Sequence, residues 1–411
     1  MKRLRKPVYL AAGAYTVSLG TGRNEFNPVK PRPGLDHYIQ EAGKAVLAQI
    51  NDPNFIDEGV IANFMAARFN RQGHLAAMLP AIDPSLEYKP MVRVEGACGS
   101  GGLGLATGIK SVLAETADVV LVCGVEVQNT VKAIYGADYL AGAGHYATER
   151  KSGHAFFFPA KFSDRAGAYC EKFGAERTRK AMARWYVNAI ENARLNPLAQ
   201  EYHNKAENLE ALGMAPPDAA VFTEHLNFFD CSKVSDGAAA ILVCSREGWE
   251  RLGLTRDDVV EVTGLGQVES NLTAPPPDLA ELATSRRAAA SALDMGGVGI
   301  GDVGVFEVHD CFTISGILSV EALGLAAPGE GPDLVLAGET ALKGSHPVNT
   351  GGGLVGYGHP TGASGVRMAV DLWKQLTGRA GDFQVHPRKE YGLMVSMGGN
   401  DKTVVSVLVR K

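Results

Sequence analysis

Two glycine-rich stretches decide the reading of this chain: Gly96-Ala97-Cys98-Gly99-Ser100-Gly101-Gly102-Leu103-Gly104 and Gly351-Gly352-Gly353-Leu354-Val355-Gly356-Tyr357-Gly358-His359-Pro360-Thr361-Gly362-Ala363-Ser364-Gly365. Each leads into small and apolar residues with helical character, 103–114 in the first case and 363–375 in the second. A short apolar run follows each helix, Val119-Val120-Leu121-Val122-Cys123 and Leu393-Met394-Val395-Ser396, and reads as a buried strand. The same order of turn, helix and strand recurs after about 260 positions, too long a period for a solenoid, and points to a duplicated domain. Strands alternating with helices predict parallel sheets covered on both faces, hence a layered α/β architecture.

Working outward, strand-like runs cover 91–95 before the first turn, 259–264, and 303–308 just before His309. The stretch between the first repeat and Ser235 is different: polar, charged and aromatic, with an amphipathic helix predicted over 176–194 and a break at Pro216-Pro217. It reads as an inserted loop domain. Strand character resumes through Ser232-Lys233-Val234-Ser235-Asp236-Gly237-Ala238-Ala239-Ala240-Ile241-Leu242-Val243, and Thr273-Ala274-Pro275-Pro276-Pro277 stiffens a connection in the second half.

Composition fits that architecture. The 411 residues are 45% apolar and 21% charged, which excludes disorder as the main state. Forty-five acidic against 40 basic side chains, a net charge of −5, leave no footprint for DNA or RNA. The 49 glycines, about 12% of the chain, exceed the usual share of near 7%. Six cysteines without a C-x-x-C pair argue for a reducing compartment and against a disulfide framework or structural zinc. The basic opening Met1-Lys2-Arg3-Leu4-Arg5-Lys6 lacks the features of an export signal, no window approaches the ~20 apolar residues of a membrane span, and Leu408-Val409-Arg410-Lys411 is not a peroxisomal address. The expectation is a cytoplasmic protein with no nucleic-acid or membrane partner.

Cys98 falls between a strand and a helix start, where backbone N–H groups and the helix dipole favour thiolate. It is either a nucleophile or a thiol packed in a tight turn. His359 holds the equivalent turn of the second repeat, so stacking of the halves would bring its imidazole to Cys98 as a proton acceptor; the other reading is a turn histidine that caps its helix. His346-Pro347 lacks the glycine frame. Val308-His309-Asp310-Cys311-Phe312 ends a strand, where open α/β sheets place ligands, although a core histidine and a buried cysteine would look alike. Cys123, Cys170, Cys231 and Cys244 read as small hydrophobes or surface thiols, and no spacing resembles a metal site.

Taken together, these residues resemble the thiolase superfamily, in particular its sterol-carrier-protein-type and archaeal-like branch, from end to end of the chain. Cys98-Gly99-Ser100 is similar to the family's C-x-S nucleophile motif and Gly358-His359-Pro360 to its G-H-P motif. Ser235-Asp236-Gly237-Ala238-Ala239 resembles the strand opening after its loop domain, and His309-Asp310-Cys311-Phe312 the H-D-C-F motif that this branch has in place of N-E-A-F. One departure stands out. Where ordinary thiolases carry C-x-G, with a cysteine acid/base, this chain has Ser396-Met397-Gly398, and a serine hydroxyl is too weak an acid to replace a thiol.

The resemblance implies a thiolase fold, two duplicated βα halves stacked as a five-layer αβαβα sandwich, with an N-terminal half over 1–125 that resumes at about 235–255, a loop domain over 126–234 and a C-terminal half over 256–411. It implies an acyl-CoA acyltransferase: Cys98 carries the acyl group, His359 activates it, Cys311 supplies the missing thiol, His309 helps stabilise an enolate, the amides of Cys98 and Gly398 hold the oxyanion, and Phe312 forms pocket wall or core. The loop domain would cover the pantetheine arm of coenzyme A, with its basic residues near the phosphates. Coenzyme A thioesters are substrates, and no cofactor or metal is expected. A homodimer or dimer of dimers is implied, with an OB-fold protein or a synthase as accessory partner. The alternatives are a retro-aldolase relative acting on a branched or steroid side-chain thioester, and a thiolase-like acyl-CoA or lipid binder without turnover. Ketoacyl synthase and 3-hydroxy-3-methylglutaryl-CoA synthase fit less well, since Cys311 disturbs the former's second histidine and no glutamate-base motif is found for the latter.

Overall fold

The computed structural model describes residues 3–150, 154–387 and 389–411, so the first two residues of the basic opening lie outside the described residues. Nine strands form one sheet: β1 (Val8–Tyr15), β2 (Glu58–Ala62), β3 (Met91–Val94), β4 (Val119–Glu126), β5 (Gly237–Cys244), β6 (Val259–Glu269), β7 (Val303–Val308), β8 (Tyr391–Gly398) and β9 (Thr403–Arg410). Their order is β3-β2-β4-β5-β1-β6-β9-β8-β7. The helices of ten or more described residues are α1 (Leu35–Leu47), α2 (Ser100–Leu113), α3 (Phe157–Phe173), α4 (Ala175–Ala193), α5 (Ala283–Gly296), α6 (Thr313–Ala322) and α7 (Thr361–Thr377).

The two helices read from the glycine stretches, α2 and α7, pack against each other as a central layer. Helix α2 lies on β2 and β4 and also touches β8 and β9, while α7 spans β4 and β5 on one side and β7 and β8 on the other. Close approach of the pair explains the small residues: a Cβ on Gly101 would stand 2.7 Å from the backbone nitrogen of Val366. Helix α1 covers the outer face of β1 and β5, and α5 that of β6 and β9, which completes five layers. Alternation along β4 divides the cores, sending Val120 and Val122 to the central one and Leu121 and Cys123 to the outer one.

One expectation needs correction: among the described residues the sheet is mixed, with parallel pairing only at β2–β3, β2–β4 and β7–β8. Strand β5 returns antiparallel to β4 after the long insertion, and β9 returns antiparallel to β8 through a tight turn at 399–402, so neither pair is linked by the crossover helix that parallel strands need. Antiparallel pairing of β1 with β6, Val8 with Val262 through Ala11 with Val259, joins the two halves into one ladder that curls around the central helices.

Helix α4 falls where the amphipathic pattern predicts it. Among its buried residues Ala181, Met182 and Trp185 pack toward α3 and α6, while Ala189 and Ile190 pack against Leu209 and Val355. Helix α7 is buried nearly all round; its Arg367 pairs internally with Asp371 and Glu307, and its Lys374 lies over the Tyr15 ring. No helix among the described residues is long and apolar enough to cross a membrane.

Candidate active site

The chain leaves β3 at Val94 and enters α2 at Ser100, and the intervening turn is sharp: Ala97 adopts φ 54°, a left-handed conformation that costs a non-glycine residue energy. The Ser100 hydroxyl holds the turn by accepting the Gly96 N–H at 3.0 Å and donating to the Ala97 carbonyl at 2.6 Å. Cys98 sits at the tip, partly exposed. Gly398, at the end of β8, lies against the same turn, where an added Cβ would come within 2.7 Å of the Gly99 nitrogen. Its backbone therefore borders the nucleophile turn directly.

His359 is fastened on three sides. Its N–H donates to Ser235 Oγ at 2.9 Å, its carbonyl accepts from Gln128 Nε2 at 2.9 Å, and Nδ1 lies 2.7 Å from Ser364 Oγ. Ser364 Oγ also donates to the Pro360 carbonyl at 3.1 Å. With its one proton used there, the hydroxyl accepts Nδ1–H, which leaves Nε2 as a bare lone pair. That nitrogen is buried and has no hydrogen-bond partner. His309 follows β7, and its ring meets His359 edge to face at 5.0 Å and 84°. One ligand atom each from Cys98, His309 and His359 lie within 4.8 Å of one another. The structure thus unites three of the sequence candidates in one cluster.

Cys311 is buried beside it, with its sulfur 3.8 Å from Ser315 Oγ. Burial pushes its thiol well above the ordinary range, and the neighbouring Cys98 is the next contribution. Between the two titratable groups, Asp310 turns toward the loop region, accepting N–H bonds from Leu354 at 2.6 Å and Trp185 Nε1 at 3.0 Å; burial raises it to about 6. Phe312 stacks on Phe162 at 4.5 Å within the core cluster beneath α6. His346 instead packs against the Phe306 ring. Ser396 is fully buried next to Gly102 and Gly365, its hydroxyl unpartnered.

Position at a helix N-terminus predicts a lowered Cys98 thiol; the structure reverses the direction. Burial pushes it up to about 12, with the Glu126 carboxyl the next contribution, and these outweigh the amide dipoles of α2. Burial lowers His359 to about 3 and His309 well below its ordinary value, so both imidazoles are neutral bases. The resting cluster is a thiol beside two neutral imidazoles, and the thiol proton must move as the sulfur attacks.

Sequence reasoning missed Glu126. This fully buried carboxylate ends β4 and accepts from Phe64 N–H at 2.9 Å, Met65 N–H at 3.0 Å, Asn63 Nδ2 at 3.0 Å, Thr361 Oγ1 at 2.8 Å and Gly362 N–H at 3.1 Å. It ties the first turn of α7, just after His359, to the β2 side of the nucleophile half. A lone acid closing an otherwise apolar strand was the available signal. Ser364 and Gln128 were likewise unmarked, although Ser364 lay inside the quoted glycine stretch. In the loop region Arg165, Arg179 and Arg194 are engaged with internal carbonyls or with Asp230.

Residues 35–206 match the family model described as "Thiolase, N-terminal domain", and residues 267–410 that described as "Thiolase C-terminal domain-like". An acetyl-CoA acetyltransferase of Methanocaldococcus jannaschii is 32% identical over 391 residues, 94% of this chain and 96% of that protein. Among solved structures, an Ltp2-ChsH2(DUF35) aldolase superposes with TM-score 0.80 at 20% identity, covering 99% of this chain and 98% of the other. Human mitochondrial 3-ketoacyl-CoA thiolase in complex with CoA does so with TM-score 0.72 at 18% identity, over 100% and 99%. These structural likenesses establish a thiolase fold. With both domain models matched in chain order and an end-to-end relative at that identity, this chain belongs to the thiolase family.

Proposed function

We propose that Cys98, His359, His309 and Cys311 carry out reversible acyl transfer between coenzyme A thioesters, Claisen condensation in one direction and thiolysis of a 3-oxoacyl-CoA in the other. The chain is a thiolase-type acyl-CoA acyltransferase. The observation that carries the residue assignment is the meeting of the Cys98 sulfur with two buried, neutral imidazoles at a turn bordered by Gly398.

In thiolysis, Cys98 Sγ attacks the 3-oxo carbon while its proton passes to His359 Nε2. The oxyanion rests on the amides of Cys98 and Gly398; loss of one such donor costs ~10²-fold or more. The bond between C2 and C3 breaks, and the departing enolate, held by His309 and His359, takes a proton from Cys311. A thiol kept protonated by burial suits that acid role. The proton taken up by His359 passes to the Cys311 thiolate, which restores both groups; free coenzyme A then attacks the acyl-sulfur carbonyl, its thiol proton passing to His359, and Cys98 leaves as the thiol as that proton returns to it. Condensation runs these steps backward, with Cys311 as base.

Residues 126–234 act as the loop domain that covers the pantetheine arm, between an N-terminal half over 1–125 and 235–255 and a C-terminal half over 256–411. The substrates are the thioesters themselves, without cofactor, in the cytoplasm, in a homodimer or dimer of dimers. The aldolase among the fold neighbours pairs with a DUF35 protein, which supports an accessory partner of OB-fold type for this chain too.

Purified chain mixed with acetoacetyl-CoA and coenzyme A should give acetyl-CoA and an acyl adduct on Cys98 by mass spectrometry. Cys98→Ala and Cys311→Ala should both abolish turnover, and Ser396→Cys should retain it. Full activity in Cys311→Ala would move the acid elsewhere, and cleavage of a 3-hydroxyacyl-CoA that persists in Cys98→Ala would replace thiolysis with retro-aldol chemistry.

A further inference from the structure

We propose that Cys98, His309 and His359 form a latent three-ligand site for a thiophilic divalent cation of the zinc type, whose binding ties up the nucleophile and arrests turnover. Nothing in the linear spacing of these residues announces a metal motif; the fold creates the donor set by bringing together side chains 211 and 50 positions apart. Their ligand atoms already lie within 4.8 Å of one another. Tetrahedral zinc, with bonds of about 2.3 Å to sulfur and about 2.0 Å to nitrogen, needs ligand separations of roughly 3.3–3.6 Å, a closure of about an ångström.

Independent of that proximity, each imidazole presents a nitrogen that lacks a partner although the ring is buried. His309 is 2% exposed with Nδ1 unpartnered, and His359 is 8% exposed with Nε2 unpartnered. Unpaired buried polar atoms are costly, and a cation shared between them and the thiolate relieves the cost. The opposite nitrogen of His359 is held by Ser364, the arrangement that orients a metal-binding histidine and fixes its tautomer. Burial keeps both rings neutral, so neither must lose a proton to bind. The only proton released is that of Cys98: the S–H bond breaks, a sulfur–metal bond forms and one H⁺ leaves. Binding should therefore tighten about tenfold per pH unit below the thiol's titration. The buried Glu126 carboxyl, whose charge acts on Cys98, supplies countercharge to the resulting cation. A fourth position stays open, as in sites not built for structural metal.

Binding rests on geometry alone, and only its inhibitory consequence rests on the proposed acyl transfer. Cobalt(II) serves as the probe, because a cobalt–thiolate bond absorbs in the near ultraviolet and a tetrahedral ion in the visible. Titrating the chelator-treated chain with Co²⁺ should produce both bands at one equivalent, with Zn²⁺ displacing them. The bands should vanish in Cys98→Ser, weaken at least ~10-fold in affinity in His309→Ala, and vanish in wild-type chain whose Cys98 has first been acylated or alkylated, which covers the case of a variant that fails to fold. Zn²⁺ in excess should lower coenzyme A release at least ~10-fold, relieved by chelator and opposed by acyl-CoA. No cobalt–thiolate band, or a band that survives both substitution and alkylation of Cys98, overturns the site. A Cys98-dependent band in a chain that releases no coenzyme A would keep the site and remove the enzymatic reading.

Discussion

The two glycine turns look alike in sequence and behave differently in space. In the turn at 96–100 Cys98 follows the left-handed corner at Ala97, partly exposed, and the hydrogen bonds that hold the turn are made by its neighbours. The turn at 358–364 grips its functional side chain, with backbone N–H, carbonyl and Nδ1 of His359 all engaged. The contrast fits a division of labour. A nucleophile must change its bonding during each cycle, whereas a base works best when its lone pair is aimed before substrate arrives.

Breaking the nucleophile side should cost most. Cys98→Ala should lower coenzyme A release by ~10³-fold or more and leave no acyl adduct, while thermal unfolding stays near that of the parent. Next comes the border between the regions: in Gly398→Ala the new methyl would collide with the Gly96 carbonyl and the Gly99 N–H, so kcat should fall ~10²-fold together with a lower Tm. On the gripped side, Ser364→Ala frees the imidazole to rotate or change tautomer; kcat/KM should fall ~10- to 100-fold with the fold intact, and Ser364→Thr should recover most of it. Equal activity of Ser364→Ala and parent would erase the contrast.

The smallest effect is on stability against pH. Unfolded histidine titrates near 6.5, and His359 and His309 lie lower in the fold, so between those limits the unfolded chain binds more protons and acidification destabilises the protein. Asp310, raised to about 6, acts oppositely: its contribution is complete below the unfolded value of about 3.9 and is lost as pH rises through about 6. Glu126, Glu307, Asp236 and Asp401, also raised by burial, act in the same sense as Asp310, so the histidine contribution is read as a difference between variant and parent. His309→Asn should gain a few degrees in Tm relative to the parent as pH falls from about 6.5 to 4.5, and an unchanged difference across that window would show that His309 contributes nothing to it.

How much of this was legible beforehand follows from the range of each signal. Repeated glycines beside apolar runs encode a local turn and a helix that must approach another helix, so α2 and α7 could be read, and the second repeat then set His359 opposite Cys98. The structure extends α2 back to Ser100, because the glycines that mask helical character are the ones its neighbour requires. The β1–β6 seam was illegible, since antiparallel edges declare their partner only through tertiary register. Burial depth is equally invisible in a string of letters, and for that reason the direction of the Cys98 shift came out reversed. Glu126 escaped because its importance lies in five donors from two distant segments.

Strand β1 carries a further consequence. It is the first strand of the chain, yet it lies between β5 and β6, whose residues follow it by more than two hundred positions. During synthesis the amino-terminal segment must therefore wait, its apolar backbone unpaired, until more than half of the polypeptide has left the ribosome. Assembly of the molecule is committed late, and a nascent chain stalled before residue 237 would be a client for chaperones rather than a half-built enzyme.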